Sequence, residues 1–394
     1  MSSSERVLDG LPTARACPFD PPAELGKLRE ERPVTKMNYP DGSVGWLVTD
    51  YALVREMFTH PAFSSRHDLR SFPVHMPLPP SKAVPGLFIG MDPPDHTRYR
   101  KPLNRAFTVR RVRELEPTIE RIVAERLDAM EAEGAPLDLM ESFALPVPVR
   151  VISELLGAGR EVAAELQRLR VAVLSPQTPE EEAMAAGKAT GELMYELVRG
   201  KRRAPADDLL SELVADGELN DQELAGMMLL MLIAGHETTA QLFGLSTYLL
   251  LERDDLRQAI VSEPVTDVTA NEFLRYLSIA PFIVRTALID AEVGGVHISA
   301  GETVTLSLAE ANRDPRRFGD PDTFDGVRGD NSHLAFGHGI HQCIGHNLAR
   351  TELRIGLPAM LRRFPELRLA VPREEIRTRE AMQVYGVHRL PVSW

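Results

Sequence analysis

The sequence predicts a mainly α chain with a small β component, folded as a single domain over residues 1–394. Three observations carry this. Helical patterns dominate from residue 93 to about 277. Strand-like runs are confined to 44–49, 281–308 and the C-terminus. No repeat and no Gly/Ser-rich linker divides the chain.

The elements follow in order. Residues 1–20 are polar and are expected to be loosely ordered. Residues 20–35 carry a short helical pattern that ends at Pro33, because proline cannot continue a helix. Val-Gly-Trp-Leu-Val-Thr at 44–49 reads as a strand, and 50–60 as a helix with Asp50 as N-cap. Pro73, Pro77, Pro79, Pro80 and Pro85 make 66–90 a long loop, of the kind that is functional when it sits in a compact domain. Gly134, Pro146, Pro148, Gly157, Pro176 and Pro205 punctuate the helical middle. One of its helices starts near Asn220, with Glu223 as capping-box partner. Short strands with Gly294-Gly295 and Ala300-Gly301 turns fill 281–308, and a coil fills 312–345. A helix at about 346–363 and short strands close the chain.

Composition narrows the function. The net charge of −12, from 45 basic and 57 acidic residues, disfavours nucleic-acid binding, which needs phosphate neutralisation. The most apolar stretch, Met227–Ala234, is far short of the ~18–20 residues that span a bilayer, and no signal-type run opens the chain. Cys17 and Cys343 cannot form a disulfide framework, so a reducing cytoplasm fits.

Phe336-Gly337-His338-Gly339-Ile340-His341-Gln342-Cys343-Ile344-Gly345 is the densest signal. Glycines around a cysteine allow close backbone approach to a bulky partner. The following helix N-terminus favours a thiolate there. Such a loop holds a haem iron by sulfur. The alternatives are a zinc site using His333, His338, His341 or His346, and a buried inert cysteine. Gly337-x-Gly339-x-x-Gln342 fails the dinucleotide fingerprint at its third glycine, so electrons must come from another protein. In Met91–Arg100, Asp92 is a candidate N-cap, and His96 and Arg100, at i and i+4, suit carboxylates. Glu272-x-x-Arg275 reads, by spacing alone, as an ordinary helical ion pair.

The cysteine segment resembles the haem signature of cytochrome P450, Phe-Gly-x-Gly-x-His-x-Cys-x-Gly, at every fixed position. Further marks of that family stand in order across about 44–390. The resemblance implies the cytochrome P450 fold and a soluble, bacterial, actinomycete-type haem-thiolate monooxygenase. It implies haem b, with iron bound by the thiolate of Cys343, and Phe336, Gly337, His341, Gly345 and Ala234 against the cofactor. His96, Arg100, Arg285 and His341 match propionate partners. Ala234-Gly235-His236-Glu237-Thr238-Thr239 matches the oxygen-activating helix, with Thr238, backed by Glu237, delivering protons, and Gly235 letting the helix open. The competing reading of that pair is hydrogen bonding back to helix carbonyls. Glu272 and Arg275, completed by Arg328, become a structural buried triad.

The same resemblance implies O2 as co-substrate, and electrons from NAD(P)H through a ferredoxin reductase and a ferredoxin. The ferredoxin would dock on a basic face of Arg98, Lys101, Arg105, Arg110, Arg111, Arg113, Arg350 and Arg354. The expected reaction is hydroxylation of a bulky, apolar small molecule, as in tailoring of a polyketide or macrolide in antibiotic biosynthesis, by a monomer. Pocket walls are expected at Leu87, Phe88, Val173, Ile283 and Val384, with Phe72, Val74, Met76, Leu78, Leu174 and Val284 beside them and 66–90 as a lid. The alternatives are epoxidation, oxidative ring closure or peroxide-driven turnover on the same scaffold, and a catalytically silent haem-binding module.

Overall fold

The helix Asp221–Glu252 is the axis on which the other helices gather. Asn220 and Glu223 close its N-terminus with the expected capping box. The Asn220 side chain accepts from the Glu223 amide at 3.0 Å, and the Glu223 carboxylate from the Asn220 amide at 2.9 Å. Most of its length is apolar and buried, as a core helix requires. Pro146–Leu156 and Glu180–Arg203 pack along it. His346–Arg363 meets it where Gly356 leaves room for the Phe243 ring. The structure, a computed structural model, describes residues 7–75, 84–174 and 178–394. Among these no helix is long and apolar enough to cross a membrane.

The β component is small, as expected. Its main sheet has five strands in the spatial order 34–38, 44–48, 303–307, 282–287, 63–64. Strands 44–48 and 303–307 run parallel; the other neighbours are antiparallel. In this register Arg285 faces Val304, and Thr286 faces Thr303. Shorter strands at 137–138, 368–369 and 391–393 form a second sheet.

The local signals hold in most places. The Asp50 carboxylate accepts from the Leu53 amide at 2.9 Å and caps Tyr51–Met57. Gly134, at φ +80°, ends Val109–Glu133, and Gly157, at φ +73°, ends Pro146–Leu156. Pro148 marks no boundary; it lies in the first turn of that helix, where its missing N–H has no partner to lose.

Three expectations are corrected. Past the helical pattern that ends at Pro33, Val34–Asn38, for which no strand was expected, is an edge strand. Residues 7–20 are not loose. Leu8 is buried and exchanges backbone bonds with Lys36 and Asn38 at 2.9 Å, and Phe19 is buried with its ring 5.0 Å from Tyr248. Asp92 does not cap the helix Asp95–Leu103. Its carboxylate is engaged by the Ser64 hydroxyl at 2.5 Å and the Ser65 amide at 2.9 Å.

The coil that leads to Cys343 is pinned from beneath. Arg275, 1% exposed, makes a two-pronged bond to Glu272 at 2.8 Å on each arm. Its remaining hydrogens go to the carbonyls of Asn312 and Pro321, both at 2.8 Å, and of Thr323 at 3.4 Å. Arg328 joins Glu272 at 3.3 Å, and the Asp325 amide joins it at 2.8 Å. A buried pair of this kind survives because every charge is met by hydrogen bonds. Spacing had suggested a surface pair; the tertiary partners bury it.

Candidate functional site

Cys343 lies just ahead of the helix His346–Arg363, in a loop closed by the Cys343 amide donating to Phe336 O at 2.9 Å. Gly337 and Gly339 adopt φ of +69° and +75°, a region side-chain-bearing residues avoid. A Cβ on Gly339 would lie 2.9 Å from Thr59 Cγ2. These two glycines therefore seat the loop on Phe58 and Thr59. Gly345 differs from them: a Cβ there would meet Cys343 Sγ at 4.0 Å, an ordinary contact.

The Cys343 thiol is exposed, although protein surrounds it; it opens onto a recess. That surrounding protein pushes the thiol up from its usual range. The Gly345 amide, Arg100 and Arg350 pull the other way without prevailing. Thiolate formation thus needs a positive charge that these side chains do not supply by themselves.

A cationic cluster stands beside this loop. The rings of His96 and His341 are 4.1 Å apart. Arg100 donates to Gln342 O at 2.7 Å, and His341 senses His96, Arg285, Arg100 and Arg70. Burial first, then these neighbours, pushes His341 down to about 3. Arg285, 4% exposed, donates to the carbonyl of Val284 at 2.9 Å and is pushed down to about 10 by burial. Both ring nitrogens of His96, His341 Nε2 and Arg70 Nε are buried without a hydrogen-bond partner. Buried donors are rarely left so. Donors aimed into one place, with cations among them, fit the carboxylates of a haem. The residues present therefore fit that group.

The zinc alternative does not fit. His333 bonds Asn271 Oδ1 at 3.1 Å, and His346 Nδ1 is 2.7 Å from Arg350 Nη1. Among the described residues no three His, Cys, Asp or Glu side chains converge to hold a metal ion. Phe336 makes tilted ring contacts with both histidines, at 5.7 Å and 6.0 Å, and the Arg350 guanidinium covers its ring at 4.9 Å.

Ile233 is 55% exposed and Ala234 is also exposed, in the middle of a helix buried before and after them. An apolar side chain laid bare inside a core helix marks an internal space. The Thr238 hydroxyl donates to Ala234 O at 2.9 Å, and Thr239 to Gly235 O at 3.1 Å. Hydrogen bonding back to the helix, the competing reading of the pair, is thus real for the threonine. Glu237 behaves differently: it forms an ion pair with Arg379 of the C-terminal loop. Gly235 does not open the helix, which runs on unbroken; a Cβ there would press on Ile152 at 3.1 Å.

The proposed walls divide. Leu87, Ile283 and Val384 are half-buried. Phe88 is 3% exposed, in the core, with its ring 5.9 Å from His96. Val74 and Val284 are buried together with Phe282, and Phe72 packs against them. Val173 and Leu174 end the helix Gly159–Leu174, but their side chains lie outside the described residues, as do Met76, Leu78 and the rest of 76–83 within the expected lid.

The basic face is largely neutralised. Arg98 pairs with Glu223, Arg105 with Asp216, Arg110 and Arg111 with Glu114, and Arg354 with Glu116. Arg350 is half-buried beneath the cysteine loop, bonded to Asn271 at 2.6 Å. Lys101 and Arg113 remain exposed.

Two residues were missed. Arg70 belongs to the cationic cluster and Arg379 to the central helix's ion pair. No local signal marks either, because each acquires its partners only through tertiary folding.

Comparison with known proteins agrees with this geometry. Residues 186–391 match the family model described as Cytochrome P450. The chain is 45% identical to cytochrome P450 105C1 of a Streptomyces species over 387 residues, 97% of each chain. It is 41% identical to nocardicin C N-oxygenase of Nocardia uniformis over 393 residues, 96% of this chain and 98% of that one. The crystal structure of CYP105P1 in complex with filipin I superposes with a TM-score of 0.90 at 41% identity, covering 98% and 99% of the two chains.

Proposed function

Because this chain belongs to the cytochrome P450 family, we propose that its monooxygenase activity hydroxylates a bulky, mainly apolar secondary metabolite such as a polyketide or macrolide. The observation that carries the reading is an open cysteine thiol beside buried, unpartnered donors on His96 and His341. Similarity to a protein crystallised with filipin I and to a nocardicin C N-oxygenase supports a secondary metabolite as substrate.

When bound, the haem supplies a thiolate-ligated iron that activates O2, the chemistry for which this family is the standard example. Cys343 would hold the iron. Burial favours the protonated form of the free thiol, and the Gly345 amide, Arg100 and Arg350 would favour the thiolate that the metal requires. His96, Arg100, Arg285 and His341 would hold the propionates.

Thr238 supplies a hydroxyl at the oxygen side. Its proton is engaged by Ala234 O, which leaves its lone pairs to orient a water. Glu237 acts as proton carrier when it leaves Arg379. Leu87, Ile283 and Val384, with Ile233 and Ala234, give the substrate apolar walls, so burial supplies most of the affinity at roughly 25 cal/mol per Å².

Electrons come from NAD(P)H through a reductase and a ferredoxin docking near Lys101 and Arg113, the protein acting as a cytoplasmic monomer. With so much of the basic face paired internally, docking has a weak salt dependence.

The test is a ligand screen that follows the haem absorption shift, then turnover with a surrogate ferredoxin and reductase and product mass measurement. Apolar ligands should shift the spectrum, and the product should gain one oxygen. Shifts without product would identify a silent haem-binding module. Cys343→Ser should abolish the red-shifted carbonyl spectrum; a normal thiolate spectrum in that variant would remove Cys343 as ligand.

A further inference from the structure

We propose that Arg70, on the loop expected to face substrate, is a haem-binding residue whose guanidinium completes the counter-charge for the two propionates. This rests on the haem reading above. Arg70 follows a short 3₁₀ turn, His67–Leu69. Its neighbour Ser71 is tied by its amide to Thr303 Oγ1 at 3.1 Å, and Thr303 faces Thr286, next to Arg285. The loop is thus fastened to strand 303–307, which pairs with the strand that carries Arg285.

The guanidinium of Arg70 covers the Phe72 ring at 4.8 Å, while its Nε is buried without a partner. Among the described residues no carboxylate pairs with Arg70. Burial and the nearby charge of Arg285 both work against its cationic form. Two guanidiniums held together away from water are unfavourable unless an anion joins them.

Charge counting shows how many anions the site needs. Arg70, Arg100 and Arg285 are the cluster's permanent cations, and Asp92 is the one carboxylate that Arg285 senses. Asp92 is already engaged by Ser64 and Ser65. Three positive charges against one negative leave +2, and a haem brings two propionates. Without Arg70 the pocket would be one charge short. A carboxylate could also arrive on the substrate, so the experiment separates the two sources.

Haem-loaded wild type, Arg70→Gln and Arg70→Lys are mixed with an excess of an apo-globin acceptor, and haem loss is followed in the visible spectrum. Arg70→Gln should lose haem about tenfold faster, as expected for removal of one charge-assisted hydrogen bond. Arg70→Lys should lie between, and it serves if the glutamine variant folds poorly. Reconstitution with haem dimethyl ester should erase the difference between wild type and Arg70→Gln. Equal loss rates with ordinary haem, with weaker binding only of carboxylate ligands relative to their methyl esters, would assign Arg70 to substrate and overturn the proposal. A difference that persists with the ester would make its role structural and overturn it as well. A wild type that takes up no haem would instead sink the family reading and this inference with it.

Discussion

Arg379 reaches from the C-terminal loop to Glu237 on the central helix and forms an ion pair with it. Its amide donates to Gly386 O at 2.9 Å, and its Nε lies 3.1 Å from Met382 Sδ. The loop carrying Val384 is therefore linked electrostatically to the helix that carries Thr238. Arg379→Gln would remove the ion-pair partner of a poorly hydrated carboxylate and should cost about 2 kcal/mol of stability, measured by denaturant unfolding. Glu237→Gln combined with Arg379→Gln should cost less than the sum of the single changes. Strict additivity would show that the pair contributes nothing.

Thr238→Ala should leave haem content and ligand-induced spectral shifts unchanged while diverting reducing equivalents to peroxide or water. Product formed per NAD(P)H consumed is the measurement. An unchanged ratio would remove Thr238 from proton delivery.

Gly226→Ala offers a test in which the sign is informative. In a helix interior, alanine normally stabilises over glycine by about 1 kcal/mol. Here the new Cβ would lie 2.0 Å from the carbonyl oxygen of Pro85 and 3.3 Å from Gly86 Cα, both backbone atoms. The substitution should instead destabilise by about 2 kcal/mol, because backbone must move. A raised melting temperature would mean that the loop does not rest on the helix.

Glu223 supplies a pH signature. The Arg98 guanidinium, with the Asn220 amide and the Tyr99 hydroxyl, holds its carboxyl at about 2 instead of 4.5. A carboxyl depressed by folding stabilises above its unfolded value, and that contribution fades as pH falls through its folded value. The difference in urea midpoint between wild type and Glu223→Gln should be full at neutral pH and shrink from 4.5 towards about 2. A difference that grows on acidification would contradict the assignment.

What the sequence made legible depended on range. Capping at Asp50 and Asn220 is decided within one turn, so it could be read directly. Cys343 was legible because glycine spacing and a single thiol leave few alternatives. Asp92 was misread because its hydrogen-bond partners, Ser64 and Ser65, come from another segment. The basic face was misread for a similar reason: Glu116, Glu212, Asp216 and Glu223 reach those arginines through packing. Arg70 and Arg379 carried no local mark, since an arginine in a proline-rich loop looks like any solvated charge.

The contact between His96 and His341 joins the first and last thirds of the chain. Arg285 enters from a third segment, on a strand held by pairing with 303–307. Chain synthesis runs from the N-terminus, and contacts this distant in sequence form late. A nascent polypeptide that already displays His96 and Arg100 therefore has nothing with which to close around a ring until residue 341 has left the ribosome. Cofactor capture is consequently an event of the finished polypeptide, and chains that stop short of the cysteine loop should accumulate as colourless protein.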